Sequence, residues 1–306
     1  MELSLFKNEL FKRATDVSVP LLEIEKYICN YYKTKLIPYV SSNPKYLMRC
    51  SLNEPNKVFE NVSRCSYNPK TEGILLQRCN YPGQQVFYSC IPSESKETNS
   101  SFTALMETAL EHVTDINKTM SIFTLSRWRI TRPLNLYMLP FSTKCIEKNK
   151  DFQVLYERLK GITDEKFSYS LVTKEEFYKS FEMICDVFIE FKNKNIYYRI
   201  SSAFYNTLLL ISRDKNFPMD GLLYPSANTQ AAGMNVVLKK ELVDDKVIYC
   251  DQATMHSMKR NPDNPHEVKF LDISKSTAPD ENGNFKFEMI DSKDDSSDFK
   301  IFKFTY

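Results

Sequence analysis

The stretch Ile74–Leu110 constrains the fold most, because three kinds of local structure follow one another within it. Gln77–Pro82 is a polar segment that leads into Gly83–Cys90, and the pattern of Gly83–Cys90 indicates a turn followed by a short strand. Ser101–Leu110 has apolar residues at helical spacing, which predicts a helix with one buried face. Because segments that are adjacent in the chain usually pack against one another, we expect these three to meet at one cleft.

Each of these segments carries one side chain suited to chemistry: Arg78, Tyr88 and Glu107. Glu107 lies between Met106 and Ala109 on the predicted helix, and a carboxylate buried there must be paired or hydrogen-bonded. Two interpretations follow. Glu107 is either a structural group that pairs with Arg78 or caps a helix, or a catalytic carboxylate beside an anion-binding arginine and an aromatic ring.

A second distinctive stretch, Phe217–Leu238, lies later in the chain. Leu222–Tyr224 is predicted to be a short strand, and Pro225–Asn228 leaves it as a loop with small hydroxyl and amide donors. Within this loop Ser226 is either a turn former or a nucleophile, and no Gly-x-Ser-x-Gly motif supports the second role. Gly233–Leu238 begins another predicted strand.

Further strand and helix patterns occupy the rest of the chain. Arg49, in an early strand pattern, is either a strand-end charge or an inward-facing anion ligand. Trp128, between Arg127 and Arg129, is either a stacking platform or a residue of core or cross-strand packing, and we expect the packing role. The predicted strands are Tyr46–Cys50, Ile122–Ile130 and Leu134–Leu139, and the predicted helices are Asp151–Leu159, Lys174–Lys192 and Tyr198–Ile211.

Composition excludes several classes of function. The net charge of +2 over 306 residues gives no electrostatic reason to expect nucleic-acid or membrane binding. Six glycines, with neither GxGxxG nor GxxxxGK[ST], argue against a glycine-rich nucleotide loop. Eight cysteines without a CxxC pair, and no apolar run near the ~20 residues that span a bilayer, predict a cytoplasmic protein with free thiols. Three scattered histidines predict no metal site.

The two ends of the chain differ from its middle. Residues 1–36 show two helical patterns, with Pro20 in the first turn of the second, and this pair either packs on the core or meets a partner. Residues 257–296 are polar and lack a helical period. Phe285–Met289 and Phe299–Phe304 alternate as a terminal hairpin would.

Several segments, taken in order, resemble the RES-domain family of bacterial toxins. They are Arg49 on an early strand, Arg78–Gly83, Val86–Tyr88, Ala104–Glu107, and Asp220–Ala227 followed by Asn235–Leu238. The resemblance divides the chain into accessory helices at residues 1–40, a RES domain at 41–245, and a polar C-terminal extension at 246–306 that is expected to pack on the core.

The resemblance implies an α+β fold. Its core is ADP-ribosyltransferase-like, with small mixed β-sheets flanked by helices, and this chain adds N-terminal helices and a hairpin-like C-terminal tail. It also implies a set of site residues without a metal. The implied catalytic residues are Glu107, Arg78 and Tyr88, and the implied NAD⁺-binding residues are Arg49, Arg78, Tyr88, Asn80, Ser226 and Asn235.

This sequence departs from the family pattern in three places. Cys79 stands where an aromatic residue is usual, which affects the expected floor of the pocket more than the chemistry. A polar insertion, Ser93–Ser101, separates Tyr88 from Glu107. The terminal additions are unusual for a compact toxin of this kind.

The resemblance implies a cytoplasmic enzyme that degrades NAD⁺ by cleaving the nicotinamide–ribose bond. It would act as a glycohydrolase or as a phosphorylase, with inorganic phosphate a candidate co-substrate. Two alternatives stay open: transfer of ADP-ribose to a protein or small molecule, and a catalytically inactive binding module. A cognate antitoxin protein and a second copy of the chain are candidate partners, and neither nucleic acid nor membrane is expected.

Residue types suggest a role for each site residue. Arg49 and Arg78 are expected to clamp the pyrophosphate through forked hydrogen bonds. Tyr88 is expected to stack on or orient the nicotinamide end. Glu107 is expected to accept from a ribose hydroxyl and stabilise the developing cation. Ser226 is expected to anchor a phosphate or the carboxamide.

Overall fold

The structure is a computed structural model that describes residues 2–33, 39–53, 59–92, 100–166, 173–190, 193–215, 218–264, 267–290 and 300–303. These residues contain eight α-helices and ten β-strands, so the predicted α+β class is confirmed. The helices are α1 Leu3–Thr15, α2 Leu21–Tyr32, α3 Ser100–Thr114, α4 Thr143–Lys148, α5 Lys150–Lys166, α6 Lys174–Ile189, α7 Lys194–Asp214 and α8 Glu241–Asp244. The strands are β1 Tyr39–Ser42, β2 Tyr46–Leu52, β3 Val86–Cys90, β4 Met120–Ile130, β5 Leu134–Met138, β6 Gly221–Pro225, β7 Met234–Lys239, β8 Ile248–Arg260, β9 Glu267–Asp272 and β10 Lys300–Lys303.

The ten strands of the described ranges form one open mixed sheet in the order β1-β5-β6-β7-β3-β2-β4-β8-β9-β10. Neighbouring strands are antiparallel except for β5 and β6, which are parallel. The register of β2 with β3 consists of one residue pair, Met48 with Cys90. By contrast, β2 pairs with β4 over seven positions, from Tyr46 to Leu52. The sheet is therefore weakly joined at its middle, between β3 and β2.

Helix α3 packs over this joint. Its buried residues Ala104, Leu105 and Ala109 belong to one hydrophobic cluster with Met48 of β2 and Cys90 of β3. Apolar residues at helical spacing predicted this buried face, and the helix predicted from Ser101 is confirmed. The side chains of α3 thus stabilise a junction where backbone hydrogen bonding is sparse.

The end of α3 is held by an arginine from a distant strand. Arg260, the last residue of β8, donates from Nη2 to the carbonyl oxygens of His112, Val113 and Asp115 at 3.2, 2.8 and 3.0 Å. The last carbonyls of a helix have no partner within the helix, and they carry partial negative charge. A cation at this position therefore satisfies them and stabilises the helix.

The N-terminal helices are part of the main core. Phe6 of α1 stacks on Tyr31 of α2 with ring centroids 3.7 Å apart. The Tyr32 hydroxyl donates to the Ser180 carbonyl oxygen of α6 at 3.0 Å. Phe6 and Tyr32 are both fully buried, in the cluster that also contains Phe204 of α7. Of the two expectations for this segment, packing on the core is what the structure shows.

The C-terminal residues complete the sheet. Strand β8 pairs with β4 from Lys259 opposite Met120 to Ile248 opposite Ile130. Phe285–Met289, predicted as one strand of a terminal hairpin, is not a strand: the Phe285 N–H donates to the Glu60 carbonyl oxygen at 2.8 Å, and Met289 forms an isolated bridge with Ser274. Strand β10 pairs instead with β9. Most of the other predicted segment, Phe299–Phe304, falls within β10, and its two end residues lie outside the described ranges.

A β-bulge in β8 builds an ion-pair cluster on the sheet. The register shifts where Cys250 faces Trp128 and Gln252 faces Arg127, so Asp251 is the extra residue. Its carboxylate accepts from Arg127 Nε at 2.9 Å and from Arg129 Nε at 2.5 Å. Arg127 and Arg129 lie two residues apart on β4 and so share a face of the sheet.

Trp128, between these two arginines, confirms the prediction of core packing. It is 1% exposed, and its ring centroid lies 4.7 Å from that of Phe87. In the described part of the chain, no helix has the length and apolar character needed to cross a membrane.

Replacing Asp251 with Asn tests the ion-pair cluster. Burial raises the pKa of Asp251, but hydrogen bonds from Arg127 and Arg129 outweigh it and keep the pKa below its ordinary value. A lowered folded-state pKa gives stability above the unfolded pKa of about 4, which is lost as pH falls through the folded pKa. Urea unfolding should show Asp251→Asn about 1 kcal/mol less stable than wild type at pH 7, with the gap closing below about pH 4.

The matched control for this measurement is Asp263→Asn, at an exposed carboxylate. It should follow the wild-type stability at both pH values. An equal loss of stability for Asp251→Asn at low and neutral pH would show that the carboxylate acts through packing and not through its charge.

Candidate active site

A cavity of about 990 Å³ opens at the joint between β2 and β3. Its wall combines β2, β3, α3, the segment 63–70 and the loop 75–78. Five of the predicted site residues line it: Arg49, Arg78, Tyr88, Glu107 and Asn235. Residues that are far apart in the sequence therefore line one cavity.

Glu107 is held in this cavity by uncharged donors. Its Oε1 accepts from the Ser226 hydroxyl at 2.5 Å and from Asn235 Nδ2 at 2.7 Å. Its Oε2 accepts from Asn228 Nδ2 at 3.1 Å. The ion pair with Arg78, one of the two interpretations of Glu107, is not formed. Three neutral donors orient the carboxylate, and no cation among the described residues forms an ion pair with it.

Arg49 extends from β2 and is half-buried. Its Nη1 donates to the Tyr88 carbonyl oxygen at 2.5 Å, and its guanidinium carbon lies 5.3 Å from the centre of the Phe87 ring. Its Nε is buried without a hydrogen-bond partner. Burial lowers the pKa of Arg49, although a guanidinium stays protonated in proteins.

Arg78 reaches the same cavity from the loop before β3 and is 8% exposed. Its Nη1 donates to the Glu190 carbonyl oxygen at 3.2 Å, and its guanidinium carbon lies 5.2 Å from the centre of the Tyr198 ring. Within the described ranges neither Arg49 nor Arg78 forms an ion pair. Because a buried charge without a counter-charge is unfavourable, two such cations in one cavity favour an anionic ligand.

The hydroxyl of Tyr88 is engaged by the chain itself. It donates to Asn80 Oδ1 and accepts from the Cys79 N–H, each at 2.9 Å. Burial raises the pKa of Tyr88 well above its ordinary value, so the phenol is neutral. The ring face is thus the part of Tyr88 that can contact a ligand.

Two predicted ligand-binding residues do not line the cavity. Asn80 is 1% exposed, and its Nδ2 donates to the carbonyl oxygens of Leu75 and Tyr81, both at 2.9 Å. Its amide therefore organises the loop before β3 and holds Tyr88. Ser226, expected to anchor a phosphate or the carboxamide, is fully buried and directs its hydroxyl at Glu107.

Cys79, where the resemblance to RES domains leads us to expect an aromatic residue, is fully buried in the main core and is not part of the cavity wall. The side chain at this position therefore packs behind the site. The insertion at Ser93–Ser101 falls mostly outside the described residues. No group of three or more His, Cys, Asp and Glu side chains in the described ranges is placed to hold a metal ion.

Sequence reasoning missed two residues that position Glu107, Asn228 directly and Cys90 through Asn235. Asn228 lies in the loop recognised as a source of amide donors but was not assigned a role. Cys90 carries no signal in the sequence, because its partner is 145 residues away. Its thiol donates to Asn235 Oδ1 at 3.2 Å.

The Cys90 contact fixes which way the Asn235 amide faces. A carboxylate only accepts hydrogen bonds, so Nδ2 of Asn235 must face Glu107 and Oδ1 must face away. Cys90 supplies the donor that Oδ1 then needs. Burial raises the pKa of Cys90 well above its ordinary value, which keeps the thiol protonated and able to donate.

Close packing sets the distance between α3 and the loop that holds Glu107. A Cβ atom on Gly233 would lie 2.3 Å from Thr103 Oγ1 and 2.5 Å from Thr103 Cγ2. Thr103 is on α3, about one turn before Glu107. The absence of a side chain at Gly233 thus allows the end of the loop to approach the helix that carries the carboxylate.

No protein-family model matches this sequence, and a search of curated proteins finds no match. The function is therefore inferred from the site itself together with the resemblance described above.

Gly233→Ala should destabilise the protein by about 1–3 kcal/mol, because the added methyl group overpacks the contact with Thr103. Adding Thr103→Ala removes the two closest atoms, so the double variant should be more stable than Gly233→Ala alone. Urea unfolding at neutral pH measures both.

Gly161→Ala is the matched control, since nothing lies within 4 Å of a Cβ atom at this position of α5. It should be neutral or slightly stabilising, as alanine favours a helix. A Gly233→Ala variant as stable as this control would contradict the packing constraint.

Proposed function

We propose that this protein cleaves the nicotinamide–ribose bond of NAD⁺, as the resemblance to RES-domain toxins suggests. The proposal rests on one observation: the cavity between β2 and β3 contains a carboxylate and two guanidinium groups that are not paired with each other. Glu107, held by neutral donors, lines the same cavity as Arg49 and Arg78, neither of which forms an ion pair with any residue that the structure describes.

The chemistry requires a negative charge more than a proton donor. Nicotinamide leaves NAD⁺ as a neutral molecule, because its ring nitrogen is already cationic, so no general acid is needed. Positive charge instead develops at the anomeric carbon of the ribose. A fixed carboxylate stabilises this charge more in the transition state than in the ground state, which lowers the barrier. Glu107, oriented by Ser226, Asn228 and Asn235, has the character that this role requires.

The arginines suit the pyrophosphate of the dinucleotide. Each uses Nη1 for a backbone carbonyl, which anchors the guanidinium and leaves other N–H groups for a ligand. A planar guanidinium binds phosphate oxygens in a forked arrangement. A cavity of about 990 Å³ is at the upper end of the usual size for small-molecule sites and can accommodate a dinucleotide.

Tyr88 would contribute its ring face to the nicotinamide end, since its hydroxyl is already satisfied. Ser226 and Asn228 would act on the reaction through Glu107. Water or inorganic phosphate would complete the reaction by attacking the ribose, giving ADP-ribose or its phosphorylated form.

Glu107→Gln should lower the rate of NAD⁺ loss by about 10²–10³-fold, because the amide no longer stabilises the cationic transition state. Mass spectrometry of the products, with and without phosphate, measures the rate and identifies the acceptor. Label from NAD⁺ that appears on protein would show ADP-ribose transfer instead.

Glu157→Gln makes the same change at an exposed residue of α5 and should keep the wild-type rate. The thermal unfolding of both variants should show that the fold is retained. Wild-type turnover in a folded Glu107→Gln protein would refute the role of this carboxylate, and an inactive wild type would refute the proposed substrate.

Substitutions of Cys90 test whether its hydrogen bond to Asn235 helps to position Glu107. Cys90→Ala removes the donor to Asn235 and should lower kcat by about fivefold with little change in KM, because the hydrogen bond contributes about 1 kcal/mol to orienting Glu107. Cys90→Ser keeps a donor and should recover most of the rate. Equal rates for the alanine and serine variants would show that the thiol acts only through packing.

A further inference from the structure

A second cavity, of about 680 Å³, lies behind the loop that holds Glu107. This loop, residues 226–233, is called the Ser226 loop below. The cavity is bordered by α1, α4, α6, the start of α7 and the outer side of the Ser226 loop. It shares no wall residue with the first cavity. Its volume is in the range of small-molecule sites.

Three exposed lysines line this second cavity. Lys7 comes from α1, and Lys144 and Lys148 come from α4. None of the three forms an ion pair in the part of the chain that the structure describes, and Lys148 Nζ donates to the Gln230 carbonyl oxygen at 3.1 Å. Two carboxylates also line the cavity, and one of them, Asp186, accepts from the Ser142 hydroxyl at 2.7 Å. Because the cavity has three ammonium groups and two carboxylates, its net positive charge favours the binding of an anion.

The remaining wall is largely apolar. Phe11, Met183, Val187 and Tyr197 contribute hydrocarbon and ring surface beside the lysines. Pockets that combine apolar walls with a few polar groups bind ligands that likewise have an apolar body and a few polar groups. The expected ligand is therefore a small anion, a carboxylate or phosphate ester, that carries an aromatic or aliphatic body.

The Ser226 loop connects the two cavities directly. Gln230 and Ala231 face the second cavity, and both have left-handed backbone, with φ of 52° and 70°. This conformation is unfavourable for residues other than glycine, so packing and hydrogen bonds must hold it. The Ala231 N–H donates to the Ser226 carbonyl oxygen at 2.8 Å, and the Ser226 hydroxyl donates to Glu107.

A second connection runs through the end of α6. Glu190 lines the second cavity, and its carbonyl oxygen accepts from Arg78 Nη1 at 3.2 Å. A ligand in this cavity would therefore contact segments that hold both Glu107 and Arg78. An effect on activity needs only a difference in ligand affinity between two positions of these segments.

We propose that the second cavity is a regulatory site for a small anionic ligand with an apolar body. Its occupancy changes the placement of Glu107 through the Ser226 loop and of Arg78 through Glu190. Binding does not depend on the function proposed above, whereas the effect on turnover rests on it.

Binding is tested with 8-anilinonaphthalene-1-sulfonate, an anion on an aromatic body whose fluorescence rises in apolar surroundings. The titration is made with excess NAD⁺ present to occupy the first cavity. The double variant Lys144→Gln/Lys148→Gln should bind the probe about tenfold more weakly than wild type, because it removes two charged contacts. Lys12→Gln/Lys150→Gln makes the same change of charge at exposed lysines outside the cavity and should bind as wild type does.

Equal affinity of the two double variants for the probe would overturn the proposal that the second cavity binds it. The coupling is tested by measuring NAD⁺ loss with and without the probe. The probe should change kcat or KM of wild type at least about twofold and should have a much smaller effect on Lys144→Gln/Lys148→Gln. Binding with an unchanged rate would overturn the regulatory role. If wild type consumes no NAD⁺, the proposed function fails, while the titration still decides whether the second site exists.

Discussion

The single residue pair that joins β2 to β3 is the constraint on which the rest of the site depends. Strands with a full ladder would close this part of the sheet, but the backbone register between the two halves is limited to Met48 and Cys90. The separation leaves room for a cavity, and it also leaves the junction in need of support. Helix α3 supplies this support with its apolar face, and the same helix carries Glu107 into the opening.

Electrostatics in the cavity follow from the same arrangement. Arg49 and Arg78 are anchored by backbone carbonyls and aromatic rings, and Glu107 is anchored by a hydroxyl and two amides. Neutral partners fix the direction of each charged group without cancelling its charge. Opposite charges that paired with each other would instead have neutralised one another within the protein. The charged groups of the cavity are thus held in place without neutralising one another.

Much of the local structure was predictable, because it depends on residues that are near in sequence. The period of apolar residues located α3 around Glu107, and the polar loop after Tyr224 was recognised as a source of donors. The membership of β8 in the sheet was not predicted, since the bulge at Asp251 breaks its alternation and its partner is β4. The roles of Asn80 and Ser226 were also missed, because each is decided by contacts with Tyr88 and Glu107.

By itself, the sequence determined where α3, α6 and α7 and the strands β2, β4 and β5 form, and which side chains could do chemistry. Those properties depend on backbone propensity and on the spacing of apolar residues over one or two turns. Only the tertiary structure decided that Glu107 receives three neutral donors, that Cys90 orients Asn235, and that the Ser226 loop separates two cavities. A hydrogen bond depends on distances of a few tenths of an ångström between groups brought together by packing, and spacing along the chain does not encode them.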